Sequence, residues 1–255
     1  MTGDTRQDPT TPVPVPTGPD APRFILIFGG TFDPPHKGHI ELPVRVRDEL
    51  ERRGSCPGRG WLLYVPAARS PLKADSPVAS DKDRLEMLRL ALAESQTPRA
   101  SIWTDELDRA AAASRAGQTP PPSYTVETLG RLRAWLDVQN LGGVELRLLI
   151  GADQALSFER WRQPRDILRL AKPAVMARGD VGDAERLVKA LAGSGYWNAG
   201  ELRMWREAAI PVGAVDISAT RVREALATGS SDAIRTLIPR AVVEFVRSRR
   251  LYSSG

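Results

Sequence analysis

Short apolar runs alternate along the chain with segments that mix apolar and charged residues. The apolar runs are typical of strands buried in a parallel sheet, and they predict strands at 23–28, 61–67, 101–107, 145–153, 173–178 and 211–217. The mixed segments predict helices at 38–53, 83–95, 124–139 and 183–191, with others that begin near 218, 232 and 239. Because such alternation is typical of βαβ units, we predict an α/β fold with a doubly wound parallel sheet, whose ligands bind outside the carboxyl ends of the strands.

Three segments fall outside this alternation. Residues 1–22 hold six prolines among polar residues, and they are predicted to form a disordered tail because they offer almost nothing to bury. Residues 109–121 are rich in alanine and proline, and they are predicted to form an exposed loop. Residues 194–209 contain tyrosine and tryptophan but fit no element. We expect the remainder, 23–255, to be a single domain whose small C-terminal portion, about 217–252, is helical.

The charge balance narrows the class of ligand. The chain carries 36 Lys and Arg residues against 31 Asp and Glu, a net charge of +5. Arginine dominates the cations, and its planar fork binds phosphates and carboxylates alike. The sequence has no long basic block and no alternation of basic and aromatic residues of the kind that binds single strands, so we expect no nucleic-acid partner. Small phosphorylated ligands remain open, as does a basic surface that is simply solvated.

Membrane insertion and disulfide chemistry are not expected. No apolar run approaches the roughly 20 residues that span a bilayer, and the N-terminus has no signal pattern. Cys56 is the only cysteine, which excludes an intrachain disulfide and a cysteine-based metal cluster. We therefore expect a cytoplasmic protein without a membrane partner, while a homo-oligomer is left open.

The segment FGGTFDPPHKGH, at the end of the first predicted strand, concentrates residues with special properties. Gly29 and Gly30 allow a sharp turn and a close approach of the backbone to a phosphate. The predicted helix that follows would point its positive N-terminal end at the same place. His36 and His39, the only histidines in the chain, are three residues apart and would share one side of the first turn. Two imidazoles facing a phosphate can donate hydrogen bonds as charge develops on it.

Other interpretations of this segment compete with phosphate binding. A His-x-x-His pair can be half of a zinc site, but no third histidine and only one cysteine exist to complete it. The dinucleotide-binding fingerprint and the P-loop both need a glycine spacing that GGTFDP lacks. Histidines that merely stabilise a turn are the alternative that the residues alone leave open.

GGTFDPPHKGH resembles the G-G-x-F-D-P-x-H-x-G-H signature of the H-x-G-H nucleotidyltransferase superfamily, and it looks most like the bacterial nicotinate mononucleotide adenylyltransferases. The resemblance implies a Rossmann-like nucleotidyltransferase fold, and it implies that His36 and His39 act on the α-phosphate of ATP. It also implies that the preceding residues contact ATP, namely Gly29, Gly30, Thr31 and Phe32. Pantetheine-phosphate adenylyltransferases, cytidylyltransferases and class I aminoacyl-tRNA synthetases share the H-x-G-H signature, so the substrate must be indicated by later segments.

Two of these segments resemble phosphate-binding parts of the family. ISATRVR resembles I-S-S-T-x-I-R at a helix start, which implies that Ser218, Thr220 and Arg223 meet the β- and γ-phosphates of ATP. Ala219 replaces the usual second serine. SPLK stands where the family has P-H-K, so Leu72 replaces a histidine while Lys73 is kept as a phosphate contact.

Two further segments resemble the mononucleotide site. PSYTVETL resembles S-Y-T-x-x-T-L, which implies that Tyr124 and Thr125 receive the nicotinate carboxylate. GADQALSFERW resembles G-A-D followed by a tryptophan, which implies that Asp153 holds the nucleotide and that Trp161 stacks on the pyridine ring. The resemblance extends to a closing helix that ends at Tyr252, with 109–121 and 194–209 as departures.

The resemblance implies adenylyl transfer from ATP to nicotinate mononucleotide, giving deamido-NAD and pyrophosphate in NAD biosynthesis. Mg²⁺ would be bound through the ATP phosphates, with no metal ligand from the protein. Three alternatives are kept: preference for nicotinamide mononucleotide or another phosphorylated acceptor, an RNA-binding or aminoacylating protein, and a nucleotide-binding relative without catalysis.

Overall fold

Six parallel strands form the centre of the protein. The computed structural model describes residues 11–54, 56–69, 77–177, 184–211, 213, 217–228 and 231–252. The strands are β1 (Phe24–Gly30), β2 (Gly60–Pro66), β3 (Ala100–Ile102), β4 (Glu145–Gly151), β5 (Lys172–Ala177) and β6 (Ala209–Pro211). They pair in the order β3-β2-β1-β4-β5-β6, with every pair parallel. This order reverses direction between β1 and β4, which is where a doubly wound sheet binds ligands.

Helices cover both faces of the sheet. On one face lie α1 (Lys37–Arg53), α2 (Asp81–Glu94), α9 (Ala219–Thr228), α10 (Ser231–Leu237) and α11 (Arg240–Ser248). On the other lie α4 (Thr125–Val138), α5 (Ala152–Leu156), α6 (Pro164–Leu170), α7 (Ala184–Ala192) and α8 (Ala199–Ala208). Alternate residues of β1 enter the two cores, with Leu26 on one side and Ile25 on the other, as the two-residue period of a strand requires. The predicted doubly wound parallel sheet is confirmed.

The segment after β3 differs from the prediction. Strand β3 ends at Ile102, and α3 runs from Asp105 to Arg115. The predicted strand at 101–107 is therefore wrong after residue 102, and the predicted loop at 109–121 is wrong for 109–115. Asp105 and Asp108 in the first turn complement the positive end of the helix, and the alanines that follow are the strongest helix formers.

The unassigned segment 194–209 contains a helix. Asn198 caps α8 by accepting the Glu201 N–H at 2.9 Å, and the Glu201 carboxylate accepts the Asn198 N–H at 2.8 Å. This reciprocal capping box is readable from the N-x-x-E spacing. Strand β6 follows at once, at Ala209–Pro211, two residues before the predicted start at 211; residues 212 and 214–216 of the predicted 211–217 lie outside the described part of the chain.

The prediction of a disordered tail is wrong for residues 11–22. Val13 and Val15 are buried in the core on the α4 face. The Trp103 indole donates to the Thr11 carbonyl at 3.1 Å, and the Thr11 hydroxyl donates to Asp108 at 2.7 Å. Two valines in alternate positions of an extended chain can cover an apolar strip, which overall composition does not reveal. Residues 1–10 lie outside the described part of the chain.

None of the helices in the described ranges combines the length and the apolar character that crossing a bilayer requires.

Candidate active site

Two cavities open at the carboxyl edge of the sheet and share a wall. The cavity of about 770 Å³, here the histidine cavity, is lined by His36, His39, Ser218 and Arg223 among others. The cavity of about 530 Å³, here the tryptophan cavity, is lined by Tyr124, Thr125 and Trp161 among others. The residues common to both are Gly29, Gly30, Thr31, Asp153 and Gln154. Ligands bound in the two cavities would therefore meet at the loop after β1.

The loop after β1 is shaped by close packing. A Cβ atom on Gly30 would lie 2.9 Å from the Phe32 ring, so this position requires glycine. Phe32 has a φ of 51°, and its ring is 1% exposed. The ring packs edge-on against His39 with centroids 5.2 Å apart. Phe32 therefore supports a histidine from behind, in addition to lining the histidine cavity.

The two histidines lie together at the start of α1. Their rings stack with centroids 3.6 Å apart and planes 17° from parallel, as the three-residue spacing predicts. The His36 backbone N–H donates to His39 Nδ1 at 3.2 Å. A neutral imidazole whose Nδ1 accepts carries its proton on Nε2. His39 can therefore donate from Nε2 to a ligand in the histidine cavity.

Asp33 ties the loop to two distant segments. Its carboxylate accepts the N–H groups of Val78 at 2.8 Å and Ala79 at 3.1 Å. It also accepts the Tyr252 hydroxyl at 2.5 Å. Burial, together with the bond to Asp33, raises the pKa of Tyr252 far above its usual range, so its hydroxyl keeps its proton. The chain after α11 is thus joined by a hydrogen bond to the loop between β1 and α1, here the histidine loop.

Arg84 fixes the shared wall and was missed in the sequence. This fully buried side chain donates to the Thr31 carbonyl at 2.5 Å and to the Ala67 carbonyl at 2.9 Å. A signal did exist, because Arg84 shares a helical stripe with Met87 and Leu88, which are both buried. A cation on such a stripe must find partners inside the protein.

The residues predicted to bind phosphate at α9 are brought to the histidine cavity. Ser218 caps α9 by accepting the Arg221 N–H at 3.3 Å. Arg223 donates to the Asp33 carbonyl at 2.9 Å and to the Thr220 hydroxyl at 3.4 Å. Ser218, Thr220 and Arg223 line the cavity, with the Arg223 guanidinium anchored to the histidine loop. Lys73 lies outside the described residues.

The four residues predicted to bind the mononucleotide line one cavity, namely Tyr124, Thr125, Asp153 and Trp161. Tyr124 is the N-cap of α4 and Thr125 its first residue, so the positive N-terminal end of this helix lies at the cavity. The Arg162 guanidinium lies 4.5 Å over the Tyr124 ring, and Arg162 and Arg160 both line the cavity.

Glu106 is a buried acid in the tryptophan cavity that sequence reasoning also missed. It lies in the first turn of α3, where acids usually face solvent, so the sequence held no signal for it. Burial raises the pKa of its carboxyl, against the lowering effect of hydrogen bonds from Thr128 and Ser123. The Thr128 hydroxyl donates to it at 2.6 Å. Burial in the folded protein therefore opposes ionisation of this carboxyl.

Comparison with known proteins agrees with this geometry. A family model described as cytidylyltransferase-like matches residues 27–225. A probable nicotinate-nucleotide adenylyltransferase of Rhodopirellula baltica is 33% identical, over 92% of this chain and 96% of the relative. One of Laribacter hongkongensis is 34% identical, over 91% and 96%.

Two solved structures show the same fold. The nicotinic acid mononucleotide adenylyltransferase of Plasmodium falciparum, complexed with NaAD, aligns over 89% of this chain and 96% of its own, with a TM-score of 0.56 and 13% identity. A putative nicotinate-nucleotide adenylyltransferase from Vibrio parahaemolyticus aligns over 91% and 96%, with a TM-score of 0.51 and 16% identity. From the family model and the two relatives over most of their length, the chain belongs to the cytidylyltransferase-like family and, within it, to the nicotinate-nucleotide adenylyltransferases.

Proposed function

We propose that this protein transfers the adenylyl group of ATP to nicotinate mononucleotide, giving deamido-NAD and pyrophosphate in NAD biosynthesis. The observation that carries the proposal is the wall of Gly29, Gly30 and Thr31 common to the two cavities. ATP in the histidine cavity and the mononucleotide in the tryptophan cavity would bring the α-phosphorus and the acceptor phosphate together over this wall. The family membership supports the same reaction.

The chemistry requires placement and charge stabilisation. A phosphate monoester is already an anionic nucleophile at neutral pH, so an in-line attack on the α-phosphorus needs no general base. One oxygen–phosphorus bond forms, and the bond to the pyrophosphate oxygen breaks. His39 would donate a hydrogen bond from Nε2 to the α-phosphate. His36, whose ring stacks on that of His39, would also stabilise the transition state at this phosphate.

The leaving pyrophosphate would be held at α9 by the Arg223 guanidinium and the hydroxyls of Ser218 and Thr220, with Lys73 as a further contact. No cluster of three or more His, Cys, Asp or Glu side chains that could hold a metal ion occurs among the described residues. We propose that Mg²⁺ enters as the MgATP complex, in which phosphate oxygens would coordinate it, because such chemistry usually requires a metal to neutralise phosphate charge.

Charge in the tryptophan cavity favours the acid over the amide. The positive N-terminal end of α4 and the cations Arg160 and Arg162 suit a carboxylate on the pyridine ring. An ionised Glu106 would repel that carboxylate, and burial opposes this ionisation by raising the pKa of Glu106. We also propose that the enzyme is cytoplasmic. Both ligands are small molecules, so we propose no nucleic-acid or membrane partner.

The first prediction concerns the substrate. With MgATP, we expect pyrophosphate release on addition of nicotinate mononucleotide, with kcat/KM at least about tenfold above that for the amide, because the cavity favours negative charge. Nicotinate riboside, which lacks the phosphate nucleophile, is the control and should give no release. A preference for the amide would contradict the acid assignment, and no release with either would leave only a nucleotide-binding protein.

The second prediction concerns His39. In His39→Asn the amide oxygen can still accept the His36 N–H, so the start of α1 is kept while the Nε2 donor is lost. We expect a folded protein whose kcat is lower by on the order of a hundredfold, the usual effect of removing one transition-state donor. Stopped-flow pyrophosphate assays and circular dichroism would measure this; a near-normal kcat in the folded variant would refute the role.

The third prediction compares two arginines of α9. Arg223 lines the histidine cavity, whereas Arg221 does not. We expect Arg223→Ala to lower kcat/KM for ATP by about tenfold to a hundredfold, as for other charge-assisted contacts. The matched change Arg221→Ala removes the same charge from the same helix but from outside the cavity. Its kcat/KM for ATP should therefore stay within about twofold of the wild-type value. Equal losses would indicate a general electrostatic effect.

The fourth prediction uses the raised pKa of Glu106. The folded protein holds the proton of the Glu106 carboxyl more tightly than the unfolded chain does. The stability of the fold therefore falls as the pH rises above the pKa that Glu106 has in the unfolded chain. Glu106→Gln removes this penalty, and its melting temperature relative to wild type should therefore be higher at pH 8 than at pH 5. Glu86→Gln, at a side chain that is 44% exposed, is the control, and its melting-temperature difference should not depend on pH in this way. The opposite trend for Glu106→Gln would contradict a raised pKa of the Glu106 carboxyl.

A further inference from the structure

Trp161 is backed by a second aromatic ring. The Phe158 ring lies nearly parallel to it, with centroids 4.8 Å apart and planes 24° from parallel. Phe158 is fully buried and Trp161 lines the tryptophan cavity. One face of the indole is therefore covered by Phe158, and the opposite face is the one available to a flat ligand ring.

Phe158 is held in turn by two tryptophans from the segment around α8. Trp205 meets it edge-on, with centroids 5.2 Å apart and an angle of 75°. Trp197 lies 6.3 Å from it and meets Trp205 at 5.4 Å. Trp205 is fully buried. We call Tyr196, Trp197 and Trp205 the aromatic brace.

Ring packing alone sets the orientation of these indoles. The Nε1 atoms of Trp161, Trp197 and Trp205 are buried and have no hydrogen-bond partner within the described residues. An indole that is not fixed by a hydrogen bond keeps its tilt only through its neighbours. The tilt of Trp161 therefore depends on Phe158, and that of Phe158 on the brace.

A surface contact fastens the brace to the helix after Trp161. The Arg165 guanidinium lies 4.5 Å over the Tyr196 ring and donates to the Tyr196 carbonyl at 2.8 Å. Its Nε donates to Glu201 on α8 at 2.8 Å, and this bond lowers the pKa of the Glu201 carboxyl. Tyr196 meets Trp197 edge-on with centroids 4.7 Å apart. The contact thus joins α6 and α8 around the rings.

We infer that the aromatic brace positions Trp161 for the mononucleotide and so sets the affinity for that substrate without touching it. This inference rests on the proposed function. The three brace residues line neither cavity, which makes them positioning residues. Holding the indole in its bound orientation beforehand removes part of the ordering cost of binding. The brace should therefore act on mononucleotide binding and leave ATP binding and the chemical step alone.

The test is Trp205→Leu in the full chain. We expect KM for nicotinate mononucleotide, and its Kd without ATP by calorimetry, to rise about tenfold, the order of one ring-stacking contact. KM for ATP and kcat should stay within about twofold. Trp205→Phe, which keeps an aromatic edge against Phe158, should restore most of the affinity. The control Trp135→Leu removes a tryptophan from the same core cluster but from no described ring contact, and should leave both KM values unchanged.

A second variant covers the case in which Trp205→Leu does not fold. Arg165→Ala opens only the surface contact, and we expect KM for the mononucleotide to rise about threefold with KM for ATP unchanged. Equal effects on both substrates, or a Trp205→Leu that behaves like Trp135→Leu, would overturn the inference while wild type still releases pyrophosphate. A wild-type protein that binds no mononucleotide would instead overturn the proposed function.

Discussion

The buried carboxylate of Asp33 is the interaction on which the candidate site depends. It accepts hydrogen bonds from the segment before α2 and from Tyr252 after α11, and its own carbonyl accepts from Arg223. Without the carboxylate, the N–H groups of Val78 and Ala79 and the Tyr252 hydroxyl would lose their acceptor, and for the buried Ala79 the loss costs about 1–3 kcal/mol. The histidine cavity therefore requires both ends of the domain, because its floor is a loop near the start of the chain that is fastened by residues near the end.

Arg84 completes this arrangement from the opposite side. It fixes the carbonyls of Thr31 and Ala67, and the Ala67 N–H donates to the Gly30 carbonyl at 2.9 Å. The wall between the two cavities is thus held by charge-assisted bonds to its backbone. For a reaction in which the substrate supplies the nucleophile, a rigid wall of this kind is most of what a protein can contribute.

The correct predictions depended on local signals. Strand β1 and the histidine segment could be predicted because apolar periodicity and turn chemistry act over a few residues. Where partners are distant, prediction failed: Val13 and Val15 are buried only because a strip near Trp103 is there to receive them. The raised pKa of Glu106 depends on burial, its hydrogen-bond partner Thr128 lies 22 residues away, and no local pattern records such an environment.

The two cavities differ in the forces they use, and this difference decides how each could be predicted. The histidine cavity uses donors and cations from two short segments, so a signature of a dozen residues indicates the chemistry. The tryptophan cavity uses ring packing that reaches from Trp161 through Phe158 to α8. Stacking requires a surface of fixed orientation, and that orientation is set by side chains far apart in the chain. Two short segments of the sequence therefore indicate the reaction, whereas recognition of the acceptor base depends on side-chain packing across one face of the sheet.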